Sequence, residues 1–363
     1  LDIFNDHNPG RFPAYWELNT WPNFVEAALF LKGTFGEPLS FSMRAHQVLR
    51  QRINDFDLVH DNQCLGSGIL KIEKIIPTIV TLHHPITKDR ALEMAHTPNW
   101  WKRRAIGRWY SFVWMQGRVA SKMPRVVVVS ENSINDIHTD MGVSKDRMRL
   151  VPVGVDPDLF KPITSITRKS AHLITTASAD VALKGLSFLL EAVAKLRTER
   201  EIHLTIIGKP RAGASADLIK SLGLQDCISF VSGVTDEEIV KLYAQSELAV
   251  VPSLYEGFSL PAIEAMSTGI CLVATTGGAL PEVTGIDGET VLSCVAGDAD
   301  ALAATIRRGL DDKRLREKVG LAGRARVAER WSWRHCAQLT VDQYREVLSM
   351  PDNQQKNAKR QSS

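Results

Sequence analysis

The sequence predicts an α/β protein of two domains, each built on a parallel β-sheet. Short apolar runs without charges alternate with amphipathic helical patterns along most of the chain, and this alternation favours parallel sheets that are covered on both faces. The length of 363 residues exceeds what one hydrophobic core usually holds. A stretch over 152–162 contains three prolines and one glycine, which is typical of a link between domains.

The bulk composition is that of an ordinary globular protein. Hydrophobic residues make up 44% and charged residues 23%, and the net charge of +3 is too small to indicate nucleic-acid binding. No apolar run approaches the about 18 residues that a membrane-spanning helix needs, and the first residues do not resemble a signal peptide. The five cysteines are scattered without a Cys-x-x-Cys pair. We therefore expect buried, reduced thiols in a cytoplasmic protein.

The first domain is predicted to span residues 1–155. Residues 1 to about 40 are rich in aromatic residues, Pro and Asn, and they predict no regular element. A helix is expected over 41–52. Strands are expected over 56–60, 78–82 and 125–129, with helical patterns between them.

The segment 100–122 of this domain combines aromatic and basic side chains, and no acidic residue occurs from Met94 to Ser130. Two interpretations are open. An amphipathic helix of this composition can lie on an anionic membrane, which would make the protein peripherally membrane-associated. A core-facing helix with a solvated basic edge is favoured, because the aromatic residues fall on more than one helical face.

The second domain is predicted to span residues 156–333 and repeats the alternation of strands and helices. Its strands are expected over 172–176, 203–207, 227–231, 248–251 and 271–274. A last helix is expected over 334–350. The polar residues 351–363 are expected to form a disordered tail.

The strand 248–251 breaks into a glycine-containing loop and continues as a helix that starts near residue 260. Pro261 is tolerated in a first helical turn, and Ser259 is a candidate N-cap. The first backbone N–H groups of a helix are unpaired and carry the positive end of its dipole. The loop therefore predicts a binding site for an anion or for sugar hydroxyls. Its residues are Gly257, Phe258, Ser259 and Leu260.

Two carboxylates flank this loop, Glu256 before the helix and Glu264 inside it. A carboxylate accepts two hydrogen bonds at once, which suits the paired hydroxyls of a sugar or a ribose. The helix start between them suits a diphosphate. Together they predict a nucleotide-sugar site, although either acid alone is also explained as a loop cap or a solvated helix residue.

Two further residues occupy places that suit chemistry. Lys184 follows a predicted strand at the start of a helix, where a lysine can neutralise a diphosphate as a point charge. His83 comes just after the strand 78–82, at the edge where parallel sheets bind ligands, and its near-neutral pKa suits proton transfer or hydrogen bonding. A lone histidine at such a position is also commonly structural.

Several other classes of site are not supported. The three Asp-x-Asp pairs start at Asp55, Asp156 and Asp298 and lie in a turn, at the domain link and at a helix start, so we predict no metal site. Neither Gly-x-Gly-x-x-Gly nor a phosphate-binding Gly-x4-Gly-Lys-Ser/Thr motif is present. Dehydrogenase and kinase functions are therefore not expected.

The stretch Glu256-Gly257-Phe258-Ser259-Leu260-Pro261, followed by Glu264, resembles the Glu-x7-Glu signature of the retaining glycosyltransferase family 4. Other motifs agree over roughly residues 56 to 350. These are Lys184-Gly185, Gly277-Gly278-Ala279-Leu280-Pro281-Glu282, Val153-Gly154-Val155-Asp156 and Trp331-Ser332-Trp333. The resemblance implies the GT-B fold, in which two Rossmann-like lobes enclose a donor cleft and the helix over 334–350 returns to complete the first lobe.

The resemblance also implies an activity. The chain would move a sugar from a UDP- or GDP-sugar to a hydroxyl acceptor with retention of configuration, without a metal, a separate cofactor or a covalent nucleophile. Catalytic roles would fall on His83, Glu256 and Lys184, with Glu256 on the donor sugar and Lys184 on the diphosphate. Glu264 would bind the ribose diol. Further donor contacts would come from residues 257–260 and from Ser178, Gly208, Lys209 and Val231.

The sequence departs from the family pattern at two places. Nothing before Phe56 matches the family's opening strands and Gly-rich loop, so we expect the first domain to lack or replace them. Ser178 stands where members carry a phosphate-binding arginine, and Lys209 or Arg211 is expected to compensate. A catalytically impaired donor-binding fragment therefore stays an alternative, and so does a GT-B epimerase or phosphorylase, which the loop fits less well. If 100–122 contacts a membrane, the acceptor is a lipid or lipid-linked glycan.

Overall fold

A computed structural model describes residues 1, 3, 11–176, 181–210 and 213–361. The chain divides into two compact units. The first comprises Leu1–Val129, Ser133–Val151 and Leu339–Ser363, and the second comprises Ser130–Asn132 and Pro152–Gln338. The chain therefore enters the second unit briefly at Ser130 and finally at Pro152, within the proline-rich stretch that the sequence marks as a link.

The first unit contains a parallel sheet of four strands in the order β1-β2-β3-β4. Its elements are α1 (Trp21–Leu31), α2 (Glu37–Gln51), β1 (Val59–Asn62), α3 (Ser67–Glu73), β2 (Thr78–Leu82), α4 (Thr87–His96), α5 (Trp100–Trp109), α6 (Val113–Ala120), β3 (Val126–Val128), β4 (Met148–Leu150) and α7 (Glu131–Met141) without its first two residues. Every residue of β2 and β3 is buried, because strands inside a parallel sheet are covered on both faces. Among the described residues no strand precedes Val59.

The prediction of irregular structure up to residue 40 is wrong, because α1 and most of the first turn of α2 lie there. Thr20 caps α1 by accepting a hydrogen bond from the backbone N–H of Asn23 at 3.4 Å. The buried Glu26 carboxylate pairs with Arg44 of α2 at 2.9 Å and joins the two helices. Trp21 is 65% exposed. The apolar pattern of this helix therefore does not mark its buried face, which is why periodicity did not reveal it.

The segment 100–122 forms two helices that differ in burial. α5 buries none of its residues, and Trp100 and Trp101 stack on each other with ring centroids 3.6 Å apart while both stay exposed. α6 buries Val113 and Val119. The description of a core-facing helix therefore fits α6 but not α5, and membrane contact stays a prediction. No helix among the described residues has the length and apolar content needed to cross a bilayer.

The second unit contains six parallel strands in the order β10-β9-β8-β5-β6-β7. Its elements are β5 (His172–Thr176), α8 (Leu186–Arg197), β6 (His203–Ile207), α9 (Ala214–Ser221), β7 (Ile228–Val231), α10 (Asp236–Gln245), β8 (Leu248–Val251), α11 (Leu260–Ser267), β9 (Cys271–Thr275), α12 (Leu280–Thr284), β10 (Leu292–Cys294), α13 (Ala299–Asp311) and α14 (Lys313–Arg330). Leucines and valines of α8 pack with β5, β6 and β8 into one core, including Leu189, Leu204 and Leu248.

The strand order of this sheet reverses direction at one place. The chain runs outward from β5 through β6 to β7, and then returns to the other side of β5 to form β8. Open parallel sheets bind ligands at such a switch point, beyond the carboxyl ends of the two strands. The loops after β5 and β8 meet this condition, and they contain Lys184 and Glu256.

The prediction of a disordered tail is wrong for residues 351–361, which form a helix. α15 (Trp333–Ser349) is followed by α16 (Pro351–Gln361). The amide of Asn353, which is buried, donates to the Val347 carbonyl at 2.8 Å. Lys356 pairs with Glu73 of α3 at 2.5 Å. Contacts between distant segments thus order a polar sequence that would not fold alone.

Candidate functional site

The turn after β8 holds a buried carboxylate between two hydrogen-bond donors. Glu256 is 8% exposed. Its Oε1 accepts from Lys184 Nζ at 2.8 Å and from Ser253 Oγ at 2.7 Å. A buried carboxylate needs such partners, and this ion pair fixes both side chains beside the loop that the sequence marks as a donor site. The structure thus brings two of the predicted catalytic residues together.

Lys184 occupies a short 3-10 turn that precedes α8, rather than the first turn of that helix as predicted. Gly185 follows in a left-handed conformation with φ of 63°. A Cβ atom at this position would lie 2.0 Å from the Pro252 carbonyl oxygen, so only glycine fits. The Leu254 N–H donates to the Leu183 carbonyl at 2.7 Å and ties the loops after β5 and β8 together.

The Gly277-Gly278 loop packs directly against the turn that carries Glu256. The Ala279 N–H donates to the Glu256 carbonyl at 2.8 Å, and Thr275 Oγ1 donates to the Ser253 carbonyl at 2.5 Å. A Cβ on Gly278 would lie 2.3 Å from the Glu256 carbonyl oxygen. The loop therefore supports the backbone of the turn that carries Glu256.

We predict that Gly278→Ala displaces this turn. Gly278 has φ of 61°, and the added Cβ would meet backbone, which cannot move aside as a flexible side chain can. The expected loss of stability is about 1–3 kcal/mol, with weaker donor binding. Gly223→Ala is the matched control, because Gly223 has φ of 65° and open space around it. Thermal unfolding and nucleotide titration of both variants test this prediction. Equal losses of stability and affinity in the two variants would show that the positive φ, and not the clash with Glu256, causes them.

The start of α11 differs from the prediction of a serine cap. Ser259 precedes the helix, but its hydroxyl makes no capping hydrogen bond and has no partner among the described residues, although the residue is 6% exposed. Its φ of 94° and ψ of 89° are unusual for a residue other than glycine. In the same part of the chain, the backbone N–H groups of Phe258, Ser259 and Leu260 find no backbone acceptor. The helix start thus presents unpaired donors, as anion binding requires.

Two of the distant sequence motifs meet beside this loop. The ring of Phe258 contacts Trp331 edge-on, with centroids 5.2 Å apart and planes at 88°. Trp331 precedes Ser332, which pairs with Val155 in a parallel bridge. Trp331 therefore packs against the buried Phe258, and the neighbouring Ser332 joins this motif to Val155.

Glu264 lies one turn inside α11 in a desolvated environment. Burial raises the pKa of its carboxyl to about 7, and the charge of Asp236 adds to the effect. Burial, together with the charge of Glu264, also raises the pKa of the Tyr243 hydroxyl. That hydroxyl donates to the Pro261 carbonyl at 3.5 Å. A carboxylate with so few partners is available to accept hydrogen bonds from a ligand.

The remaining predicted donor contacts lie at the same edge of the sheet. The Gly208 N–H donates to the Val231 carbonyl at 2.8 Å, which places the ends of β6 and β7 side by side, and Lys209 follows with its side chain exposed. Ser178 and Arg211 lie outside the described residues. Their predicted roles, and the assignments of Gly208, Lys209 and Val231, therefore stay predictions.

His83 lies at the carboxyl end of β2 in the first unit. Its Nε2 is 2.8 Å from Asn62 Oδ1, and its N–H donates to Gln63 Oε1 at 2.7 Å. Burial lowers the pKa of His83, with a smaller effect from His84. The imidazole is therefore largely uncharged near neutral pH. Asn62 and Gln63 orient the histidine, and the sequence analysis did not identify either of them.

Sequence reasoning also missed three residues that contact the donor loop or its supports. Ser253 donates to Glu256, as described above. The Ser130 hydroxyl donates to the Gly257 carbonyl at 2.6 Å. The Glu282 carboxylate accepts from the backbone N–H groups of Glu131 and Asn132 at 2.9 and 3.1 Å. Glu282 belongs to a recognised motif, but nothing in the sequence near Ser130 signals its contact.

Comparison with known proteins identifies the class of protein to which this chain belongs. The family model for glycosyltransferase family 4 matches residues 2–159, and the model for glycosyl transferases group 1 matches residues 165–326. A relative from Mycolicibacterium hassiacum is 45% identical over 96% of this chain and 85% of its own length, and it is named MMP alpha-(1->4)-mannosyltransferase. A D-inositol 3-phosphate glycosyltransferase from Paenarthrobacter aurescens is 27% identical over 83% of this chain and 75% of its own length.

Solved structures show the same architecture. Sucrose-phosphate synthase from Thermosynechococcus elongatus has a TM-score of 0.70 at 23% identity and covers 95% of this chain and 82% of its own. HepE from Anabaena, solved with UDP and glucose, has a TM-score of 0.67 at 18% identity and covers 83% and 81%. The chain belongs to glycosyltransferase family 4, has the GT-B fold and is a glycosyltransferase.

Proposed function

We propose that the chain transfers an α-mannosyl group from a nucleotide-diphosphate mannose to a hydroxyl acceptor with retention of configuration. The observation that carries the donor site is the Lys184–Glu256 ion pair at the switch point of the second sheet, beside unpaired N–H groups at the start of α11. The sugar is inferred from the 45% identical relative, whose name specifies α-(1->4)-mannosyl transfer. Nucleotide mannose has an α linkage, so an α product corresponds to retention.

In the proposed reaction the bond between the sugar C1 and the diphosphate oxygen breaks, and a bond from C1 to the acceptor oxygen forms on the same face. The electron pair of the broken bond leaves with the diphosphate, and the acceptor proton passes to a departing phosphate oxygen. Lys184 and the N–H groups of 258–260 stabilise the developing negative charge, because fixed donors act strongly where water is excluded. Glu256 accepts hydrogen bonds from the sugar hydroxyls, and Glu264 accepts them from the ribose diol.

His83 is proposed to hydrogen-bond the transferred sugar as a neutral imidazole. Asn62 and Gln63 hold its ring and its backbone in one orientation. The lowered pKa fits a hydrogen-bonding role better than a role as a cation. Metal independence is part of the proposal and is tested by adding a chelator.

The test incubates the protein with GDP-mannose, UDP-glucose and UDP-GlcNAc, each with and without an α-(1→4)-linked mannose oligosaccharide. The proposal expects GDP release from GDP-mannose that depends on the acceptor, an α-configured product by NMR and no loss of rate in EDTA. A changed sugar on an intact nucleotide would indicate an epimerase. Donor binding without either reaction would indicate an impaired fragment, and a β-linked product would contradict retention.

The acceptor itself is proposed only as a sugar hydroxyl, and a lipid-linked form is an open case. The exposed tryptophans and basic residues of α5 are the part of the first unit that a membrane contact would use. Flotation with neutral and anionic vesicles separates the two cases. Recovery of the protein in the fraction without vesicles, under both conditions, would remove the lipid-surface interpretation.

Donor binding is predicted to depend on pH through Glu264. Burial raises the pKa of Glu264 in the folded protein to about 7, above the ordinary 4.5. The folded protein therefore holds this proton more tightly than the unfolded chain does. The resulting stabilisation is complete below pH 4.5 and is lost as the pH rises through 7. The ribose diol needs the ionised carboxylate, so affinity for GDP should rise about tenfold between about pH 6 and 8. Glu264→Gln should remove this rise. The phosphates of GDP titrate in the same way with wild type and with Glu264→Gln. Identical pH profiles of affinity for these two proteins would therefore contradict the assignment of Glu264 to the ribose diol.

A further inference from the structure

The segment Ser130–Asn132 belongs to the second unit, although the residues on either side of it belong to the first. Ser130 is fully buried, and its hydroxyl donates to the Gly257 carbonyl at 2.6 Å. A residue far away in the sequence therefore hydrogen-bonds the backbone of the loop 257–260.

The same segment is fixed at its other end by a carboxylate. Glu282 accepts from the consecutive N–H groups of Glu131 and Asn132 at the start of α7. A carboxylate that accepts two backbone N–H groups at a helix start forms strong, charge-assisted bonds. Glu282 lies in α12, directly after the loop that supports the Glu256 turn. Ser130 is therefore held by its own bond to Gly257 and by the bonds of Glu282 to the two residues that follow it.

The bond from Ser130 sets the direction of a peptide group. The peptide between Gly257 and Phe258 is planar and trans, so its C=O and N–H point in opposite directions. With the carbonyl held by Ser130, the Phe258 N–H points away from Ser130. Glycine at 257 would otherwise let this peptide rotate easily. In the described part of the chain, the Phe258 N–H has no backbone acceptor.

We propose that Ser130 and Glu282 are positioning residues that aim the Phe258 N–H at the terminal phosphate of the nucleoside diphosphate. The inference rests on the proposed function. Ser130 acts through Gly257, and Glu282 acts through the Glu131 and Asn132 backbone. Neither residue contacts the donor in this proposal, so both should alter diphosphate recognition without altering recognition of the nucleoside.

The experiment measures affinity for GDP, GMP, UDP and UMP by calorimetry in wild type, Ser130→Ala, Ser130→Thr and Glu282→Gln. A hydrogen bond to a charged group contributes enough that Ser130→Ala should weaken diphosphate binding about tenfold or more. Monophosphate binding should stay within about twofold. Ser130→Thr keeps the donor hydroxyl and should restore the ratio of the two affinities. Glu282→Gln should lower that ratio by a smaller factor, because one acceptor oxygen remains.

Ser267→Ala is the matched control. The Ser267 hydroxyl is buried in the same unit and donates to the Phe160 carbonyl at 2.6 Å, away from the loop. Its loss should leave the diphosphate-to-monophosphate ratio unchanged. If Ser130→Ala weakens both ligands equally, or neither, the positioning role is wrong. If Ser130→Ala does not fold, Glu282→Gln decides. If wild type binds none of the four nucleotides, the proposed function fails first.

Discussion

Glu256→Gln is expected to lower kcat/KM for glycosyl transfer by about 1,000-fold while the protein stays folded. Glutamine keeps the shape of the side chain and one carbonyl acceptor for Ser253, but it removes the charge that pairs with Lys184 at 2.8 Å. The fall in kcat/KM should equal or exceed that caused by removing one fixed polar group that stabilises a transition state. Steady-state rates of nucleotide release measure the effect, and thermal unfolding establishes that the fold persists.

The control for this substitution is Glu289→Gln. Glu289 is an exposed glutamate of the same unit, outside the site. Wild-type rates for Glu289→Gln together with a large loss for Glu256→Gln would locate the effect in the donor turn. Turnover of Glu256→Gln within about twofold of wild type would mean that the carboxylate has no part in binding the sugar.

Lys184→Ala is expected to lower kcat by about 100- to 1,000-fold, because the departing diphosphate would lose the cation that we propose to neutralise it. This variant also leaves the Glu256 carboxylate buried without a positive partner, so stability should fall as well. The double variant Lys184→Ala/Glu256→Gln removes the unpaired charge. It should recover stability without recovering activity, which separates the catalytic loss from the structural loss.

Lys195→Ala provides the comparison. Lys195 lies in α8, downstream of Lys184, and pairs with the exposed Asp300 at 2.5 Å. Surface ion pairs contribute little, so stability and turnover should both stay near wild type. If the double variant regained turnover, the role of Lys184 would be to neutralise Glu256 rather than the donor.

The sequence predicts the strand, loop and helix over 248–267 well because their signals are local. Strand β8, the glycine loop and the helix with Pro261 follow one another within 248–267, and the two acids lie on either side of the loop. Hydrogen bonds across the fold have no such local signal. Ser130 and Gly257 are 127 positions apart, and Glu131 and Glu282 are 151 apart. Such contacts depend on the tertiary fold of the second unit, which periodicity does not encode.

The errors have similar physical causes. Residues before 40 were predicted to be irregular because the exposed Trp21 and Phe24 obscure the apolar face of α1. Residues 351–361 were predicted to be disordered from their polarity, yet Asn353 and Lys356 find partners in other segments. Ser259 has the residue type of an N-cap but not the conformation, because the loop places its backbone at positive φ.

That conformation has a thermodynamic consequence for any ligand of the loop. A serine at φ of 94° holds about 1–3 kcal/mol of conformational strain, and its buried hydroxyl has no partner among the described residues. A bound anion that accepts a hydrogen bond from this hydroxyl would offset the separate cost of a buried, unpaired donor, while the backbone strain would stay. Part of the driving force for association would therefore come from satisfying a polar group to which the fold gives no partner in the described chain.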